Sequence, residues 1–305
     1  MAKISKVLAD VLLLAVAVIW GVTFPIVKSA LVNIEPLWYL AVRFAFAGVI
    51  LVPFFIRDIK AAGRVTWVRG AFIGLSLFAA YGFQTVGLSM TTASKTAFIT
   101  GLYLLIVPVM NAVLTRSFPG TDVSLGAVFA VTGLALLSLE GRFAPARGDM
   151  LVLLCAFFFA CDIILVERLA TSHSAGVLTI AQVFTVSVLS LAGSLAWERP
   201  SLAVSGATWG AIILTGVLAT SAAILVQNSV QRYTSATHAA MIFALEPVFA
   251  ALSSYVWLGE RLSFRNGTGA LLMFAGMLIV EFEPLTRRCA HRPHQSTVQP
   301  EDSSQ

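Results

Sequence analysis

Charge is what this chain lacks most. Of its 305 residues only 11% are Asp, Glu, Lys or Arg, against 58% hydrophobic, whereas a water-soluble domain carries about a quarter charged residues. With a mean hydropathy of +0.88, an ordinary soluble globule of any fold is excluded. Cysteine is nearly absent. Cys155 and Cys161 share one apolar run and Cys289 lies in the polar C-terminal stretch, so no disulfide framework is expected. No Cys/His spacing suggests zinc. Histidine is equally scarce, and only His238 falls inside an apolar run. No Ser/His/Asp or metal cluster therefore points to an enzyme, and neither a cofactor nor a metal is expected. Strands of alternating apolar and polar residues are missing too, which excludes a β-barrel.

What is present is a series of continuous apolar runs. A spanning helix needs ~20 such residues, and runs of that kind lie at 9–28, 36–57, 70–88, 93–115, 122–140, 149–168, 175–197, 207–228, 236–258 and 264–282. The expected fold class is an all-α integral membrane protein with ten transmembrane helices. Lys3 and Lys6 precede the first run, which reads as an uncleaved span rather than a signal peptide. The basic residues sit in loops, not in a stripe with interleaved aromatics. The pI of 9.4 therefore reflects membrane topology and not nucleic-acid binding. Lys and Arg favour the loops on the N-terminal side, where Arg57, Lys60, Arg64 and Arg69 cluster, over the opposite side with Arg142 and Arg147. That bias places both termini in the cytoplasm. The polar residues 285–305 are expected to form a disordered cytoplasmic tail, with His291 and His294 solvated.

The chain also repeats itself. Residues 9–28 and 148–167 run in parallel at an offset of 139, so Asp10 falls on Asp149, Thr23 on Asp162 and Arg43 on Gln182. Farther on the offset is 143: Gln84 falls on Gln227, Lys95 on His238, Gly126 on Gly269 and Gly133 on Gly276. Each unit, 1–143 and 144–284, holds five spans. An odd number makes the second unit enter the membrane from the opposite side. Two inverted five-helix repeats are an architecture of secondary transporters, with substrate held near the midplane between the halves.

Polar groups in hydrocarbon cost at least ~2.5 kcal/mol when charged and face protein or a wet cavity, so they mark the pathway. In the first span Trp20, Thr23 and Phe24 share a face, and Gly21 with Pro25 weakens the helix there, either interrupting it to meet a substrate or merely kinking it. In the sixth span stand Phe159 and Asp162; the latter is a proton or substrate-amine site, or else a residue near the mouth. Tyr81 and Gln84 in the third span and Gln227 with Asn228 in the eighth lie in matching places. The fourth span offers Lys95, Phe98 and Tyr103, the ninth His238, Met241 and Glu246. Lys95 and His238 are mouth residues or interfacial anchors. Mid-span Glu246 and Arg43 either neutralise each other or are each met by freed backbone groups, as a structural pair or a coupling site. Gly70 and Gly74, and the pairs Gly126/Gly133 and Gly269/Gly276, let helices approach closely within a monomer or at the face of a weak dimer.

Taken together, the Trp20-Gly21 step, Lys28, Arg43, Thr92-Ala93-Ser94, Leu245-Glu246-Pro247 and Leu258-Gly259-Glu260-Arg261 resemble the EamA group of the drug/metabolite transporter superfamily. The resemblance spans residues 9–282. It implies ten helices in two inverted repeats around a central cavity lined by spans one, three, four, six, eight and nine. It looks most like the bacterial amino-acid and metabolite exporters of that group, in the inner membrane. The chain departs from that pattern at Phe159-Ala160, where many relatives carry Trp-Ala, and at Tyr103-Leu104, where the first half lacks the Glu-Pro step. The implied function is export of small metabolites, amino acids with aromatic or other apolar side chains first, by alternating access through a largely uncharged cavity. A proton-coupled multidrug exporter is the alternative, and a membrane scaffold or channel is more distant. The implied partners are the small-molecule substrate and the lipid bilayer.

Overall fold

A computed structural model of the chain describes residues 5–116, 120–138, 147–170, 173–201, 203–258, 264–265, 267–269, 271–276 and 279. Arg142, the string following Leu258 up to Arg261, and the tail with Cys289, His291 and His294 lie outside the described residues. Among those described, no strand occurs. In chain order the helices are α1 (Lys6–Ala30), α2 (Pro36–Phe54), α3 (Ile56–Ala61), α4 (Arg64–Met90), α5 (Ala93–Thr100), α6 (Tyr103–Thr115), α7 (Thr121–Ser138), α8 (Arg147–Leu169), α9 (Ala175–Trp197), α10 (Gly206–Leu214), α11 (Ala223–Val230), α12 (Ala236–Phe243) and α13 (Glu246–Leu258). Eight segments are long and apolar enough to cross a membrane, α5–α6, α10–α11 and α12–α13 each counting as one. Two further apolar helices, Ser124–Gly133 and Gly267–Gly276, are shorter. The outward faces stay apolar: Val49, Val113, Val188, Leu195 and Val256 are exposed, while Thr179, Gln182 and Asn228 are buried and bonded to one another. That distribution suits a hydrocarbon solvent, in which polar groups bond each other inside. The protein is accordingly a multi-pass membrane protein.

The starts of the helices are written in the sequence. Thr92 and Ser235, equivalent at offset 143, cap α5 and α12 by accepting from Lys95 N and His238 N, both at 3.2 Å. Pro36 opens α2, whose free N–H groups at Leu37 and Trp38 are met by the Glu198 carboxylate at 2.8 and 2.9 Å. Glycine then lets helices meet. A methyl on Gly70 or Gly74 would lie 2.6 and 2.8 Å from the Cβ atoms of Ala181 and Thr185 on α9. One on Gly276 would lie 2.6 Å from the Gly126 carbonyl, and one on Gly133 would lie 2.7 Å from Met273 N. The glycine faces of the fifth and tenth apolar runs therefore pack on each other within one chain.

Helix continuity differs from the sequence expectation. α1 is not interrupted at Gly21 and Pro25 but runs unbroken through both. Pro25 has no N–H to offer the Gly21 carbonyl, and Ser253 Oγ on α13 donates to that carbonyl at 3.4 Å instead. The breaks fall elsewhere. α5 gives way to α6 at Gly101–Leu102, and α12 to α13 at Ala244–Leu245. At both, three-residue hydrogen bonds tighten the chain: Leu102 N to Ile99 O and Leu105 N to Leu102 O, matched by Leu245 N to Ile242 O and Val248 N to Leu245 O. Such tightening interrupts the regular α-helical ladder. A third irregularity is a π-helical stretch, Thr215–Ala222, between α10 and α11.

Candidate functional site

A cavity of about 650 Å³, measured out to its open edge, lies among α1, α4, α6, α8, α11 and the α12–α13 break. Only about 40 Å³ of it admits the centre of a water molecule, so it is narrow. Its walls are largely aromatic. Trp20 meets Phe243 at 5.2 Å between ring centroids, and Tyr81 meets both Phe44 at 5.1 Å and Phe159 at 5.2 Å in tilted or edge-on contacts. Phe24, Leu77 and Leu88 extend the apolar lining, and Thr23, Gln84, Thr85 and Gln227 supply uncharged polar groups.

Three ionisable residues also line the cavity, and their positions follow from local backbone features. Arg43 on α2 is buried, with its guanidinium 5.5 and 5.4 Å from the ring centroids of Phe44 and Tyr81. Its Nε donates to Thr220 Oγ1 at 2.7 Å. Thr220 sits in the π-helical stretch, where widened turns let Thr220 and Ser221 bond carbonyls five residues back and turn the Ala219 carbonyl to accept from Trp20 Nε1 at 2.9 Å. Glu246 starts α13 beside the break, where a helix N-terminus favours a carboxylate and Pro247 costs no hydrogen bond. Its Oε2 accepts from Tyr103 OH at 3.4 Å. Asp162 accepts from Gln227 Nε2 at 3.4 Å through Oδ2, while its buried Oδ1 has no hydrogen-bond partner among the described residues. The expected Arg43–Glu246 neutralisation does not form: among the described residues no carboxylate pairs with Arg43. Arg43, Asp162 and Glu246, the three ionisable groups marked from sequence, thus all stand in the cavity wall.

Of the residues singled out from sequence, Trp20, Thr23, Phe24, Arg43, Tyr81, Gln84, Tyr103, Phe159, Asp162, Gln227 and Glu246 converge on this cavity. Phe98, Met241, His238 and Lys95 do not line it. Met241 is buried in a core with Leu104, Ala130 and Met273, with Phe98 against it. His238 Nε2 lies 3.2 Å from Asp10 Oδ1, and Lys95 Nζ lies 2.5 Å from Asp149 Oδ2. Asn228 turns away to bond Gln182 and Thr179 on α9 at 2.8 and 2.9 Å. Val27, Ile163 and Phe243 line the cavity without having been marked; as apolar residues in apolar runs they carry no sequence signal of their own.

Comparison with known proteins bears on the family and the fold. The profile of the EamA-like transporter family matches twice, over residues 7–139 and 146–282. An uncharacterized transporter of Archaeoglobus fulgidus is 34% identical over 279 residues, covering 91% of this chain and 87% of its own length. A probable amino-acid metabolite efflux pump of Escherichia coli is 26% identical over 292 residues, covering 89% of this chain and 94% of the pump. A solved crystal structure, 19% identical, covers 94% of this chain and 100% of its own with a TM-score of 0.75, so it shares the fold.

Proposed function

We propose that this chain, which belongs to the EamA-like transporter family, exports small metabolites, first of all amino acids with aromatic or other apolar side chains, by alternating access. The observation that carries the reading is the cavity's distribution of charge. Arg43 contributes a guanidinium without a carboxylate partner, Asp162 a carboxylate oxygen without a donor, and Glu246 a second acid, all set in an aromatic wall. A buried charge left unpaired is costly, and a zwitterion relieves both signs at once. Its carboxylate meets the planar fork of Arg43, its ammonium meets Asp162 or Glu246, and its side chain lies against Trp20, Phe24 and Phe159. Phosphorylated cargo would call for several convergent cations, and among the described residues Arg43 is the one cation lining the cavity. The family pump from Escherichia coli points to the same class of cargo.

The frame in this proposal is ten spans in two inverted five-helix units, 1–143 and 144–284, with both termini on the cytoplasmic side of a bacterial inner membrane. Three features support a paired repeat. The family profile matches each half. Tyr103 and Glu246, equivalent at offset 143, touch one another, as residues on a pseudo-twofold axis do. The Gly126/Gly133 pair faces the Gly269/Gly276 pair in a reciprocal fashion.

Counterflow of radiolabelled amino acids into proteoliposomes tests the cargo, with matched decarboxylated amines alongside. Wild type is expected to exchange phenylalanine-like amino acids saturably, and Arg43→Gln to slow them by about 100-fold, the roughly 3 kcal/mol typical of a buried charge-assisted hydrogen bond, while sparing the amines. The two acids facing one cation favour a second reading, a proton-coupled exporter of lipophilic cations. Transport of amines alone, indifferent to Arg43, would select it over amino-acid export.

A further inference from the structure

Two charge pairs outside the cavity join the halves, and they are equivalent to one another. Lys95, in the first turn of α5, lies 2.5 Å from Asp149 at the start of α8, and Thr91 Oγ1 donates to the other Asp149 oxygen at 3.2 Å. His238, in the first turn of α12, lies 3.2 Å from Asp10 near the start of α1. The second contact is a charge pairing when the ring is protonated and is not aligned as a hydrogen bond. Asp10 corresponds to Asp149 at offset 139, and Lys95 to His238 at offset 143. Each aspartate therefore meets the basic residue of the opposite half.

The pairs lie at opposite ends of the bundle, and α1 spans the distance. Lys28, near its C-terminal end, donates to the carbonyls of Leu88 and Ser89 at 2.8 and 3.2 Å, beside Thr91 and hence beside Asp149. Asp10 lies some 18 residues earlier in that helix, about 27 Å away at ~1.5 Å per residue.

We propose that Lys95–Asp149 and Asp10–His238 are reciprocal gate latches, each holding one end of the cavity shut, so that transport alternates between releasing one and releasing the other. The proposal rests on the transport reading but not on the identity of the cargo. Three of the four side chains are largely shielded, with 8% exposure for Asp149, 14% for Asp10 and 9% for His238, against 36% for Lys95. Shielded charges are tolerable when paired, and they are tolerable again when water enters and hydrates them. Each latch is thus comfortable in a dry, closed end or a wet, open one, and poorly suited to anything between. The mechanics fit as well. Both basic residues ride on short helices, α5 and α12, that are capped at their starts by Thr92 and Ser235 and end at the tightened turns 101–102 and 244–245. Those turns let α5 and α12 swing while α6 and α13 stay packed.

Thiol labelling in nanodiscs tests this without any substrate. In a background carrying Cys155→Ala, Cys161→Ala and Cys289→Ser, Leu88→Cys reports on the Lys28 end of the cavity and Ile163→Cys on the Lys6 end. Asp149→Asn is expected to raise the labelling rate at Leu88→Cys by about tenfold, a shift of roughly 1.4 kcal/mol, and to lower it at Ile163→Cys. Asp10→Asn is expected to do the reverse. The swap Lys95→Asp with Asp149→Lys is expected to return both rates to the parental pattern. Labelling that rises at both reporters together, that moves at neither, or that the swap fails to restore would overturn the latches. Failure of amino-acid counterflow with reciprocal labelling intact would overturn the cargo alone.

Discussion

The two halves hold equivalent positions and fill them with different chemistry. Where α1 carries Thr23, α8 carries Asp162; where α6 begins with Tyr103, α13 begins with Glu246; where α9 carries Gln182, α2 carries Arg43. The acids of the cavity come from the second half and its cation from the first. The backbone diverges with the side chains. α4 is a regular helix from Arg64 to Met90, whereas its counterpart is split by the π-helical stretch that gives Trp20 and Arg43 their partners. Repetition of a frame fixes where groups stand, and departure from the repeat gives the cavity a direction: a molecule with one positive and one negative end would bridge the halves, which a symmetric cavity could not orient.

The sharpest way to break this comparison is at a pair of small residues. Gly21 on α1 and Ala160 on α8 are equivalent at offset 139, yet only α1 needs glycine. A methyl on Gly21 would lie 2.5 Å from the Glu246 carbonyl oxygen and 2.6 Å from Phe249 Cβ, both fixed by α13. Gly21→Ala is therefore expected to cost about 3 kcal/mol, the upper range for forcing an atom into a packed core. Ala160→Gly is expected to cost about 1 kcal/mol through a more flexible helix. Thermal unfolding of the two variants in detergent checks the ranking, and equal losses would mean that α1 and α8 are packed alike.

The helical, multi-pass character was legible because a membrane leaves few choices: long apolar runs must satisfy their backbone groups as helices. Trp20 on α1, Gln84 on α4 and Gln227 on α11 reached the cavity wall as the helical period placed them, while Asn228, next to Gln227, faces α9. The marked residues of these two spans that stand off the cavity wall form two equivalent pairs, Lys95 with His238 toward the ends of the bundle and Phe98 with Met241 in the core, all ahead of the turns at 101–102 and 244–245. Reading 93–115 and 236–258 as single spans kept one phase throughout. The tightened turns reset it, so Tyr103 and Glu246 remain on the wall while the residues one to two turns earlier face α1, α8 or the glycine-packed core. Nothing in Gly101-Leu102 or Ala244-Leu245 announces such a turn, since both pairs are compatible with an unbroken helix. The π-helical stretch is silent for the same reason: its Thr, Gly and Ala residues fit an α-helix equally well.

A smaller effect separates the halves at Thr85 and Asn228, equivalent at offset 143. Thr85 lines the cavity, whereas Asn228 forms a reciprocal amide pair with Gln182, at 2.8 and 3.3 Å, and also holds Thr179. Asn228→Ala leaves Gln182 buried without its partner, and an unsatisfied buried amide costs about 2 kcal/mol. It should lower the unfolding temperature while Thr85→Ala leaves it within a degree or so of wild type and instead changes the apparent affinity for substrate. Matching losses of stability in both variants would show that the cavity residue is structural after all.

The smallest expected effect concerns how α1 survives its proline. Pro25 deprives the Gly21 carbonyl of its helical donor, and Ser253 Oγ supplies one from α13 at 3.4 Å while also bonding the Ala250 carbonyl at 3.0 Å. The longer bond is weak by its geometry, and the hydroxyl keeps a local partner. Ser253→Ala is therefore expected to cost only about 0.5 kcal/mol, the low end for a single neutral hydrogen bond. Pro25→Ala restores the missing donor, so in that background Ser253→Ala should cost less still. A double-mutant cycle on unfolding free energies measures the difference. If Ser253→Ala costs the same with or without Pro25, the serine serves α13 alone, and α1 runs straight past its proline on the strength of the Gly21 packing.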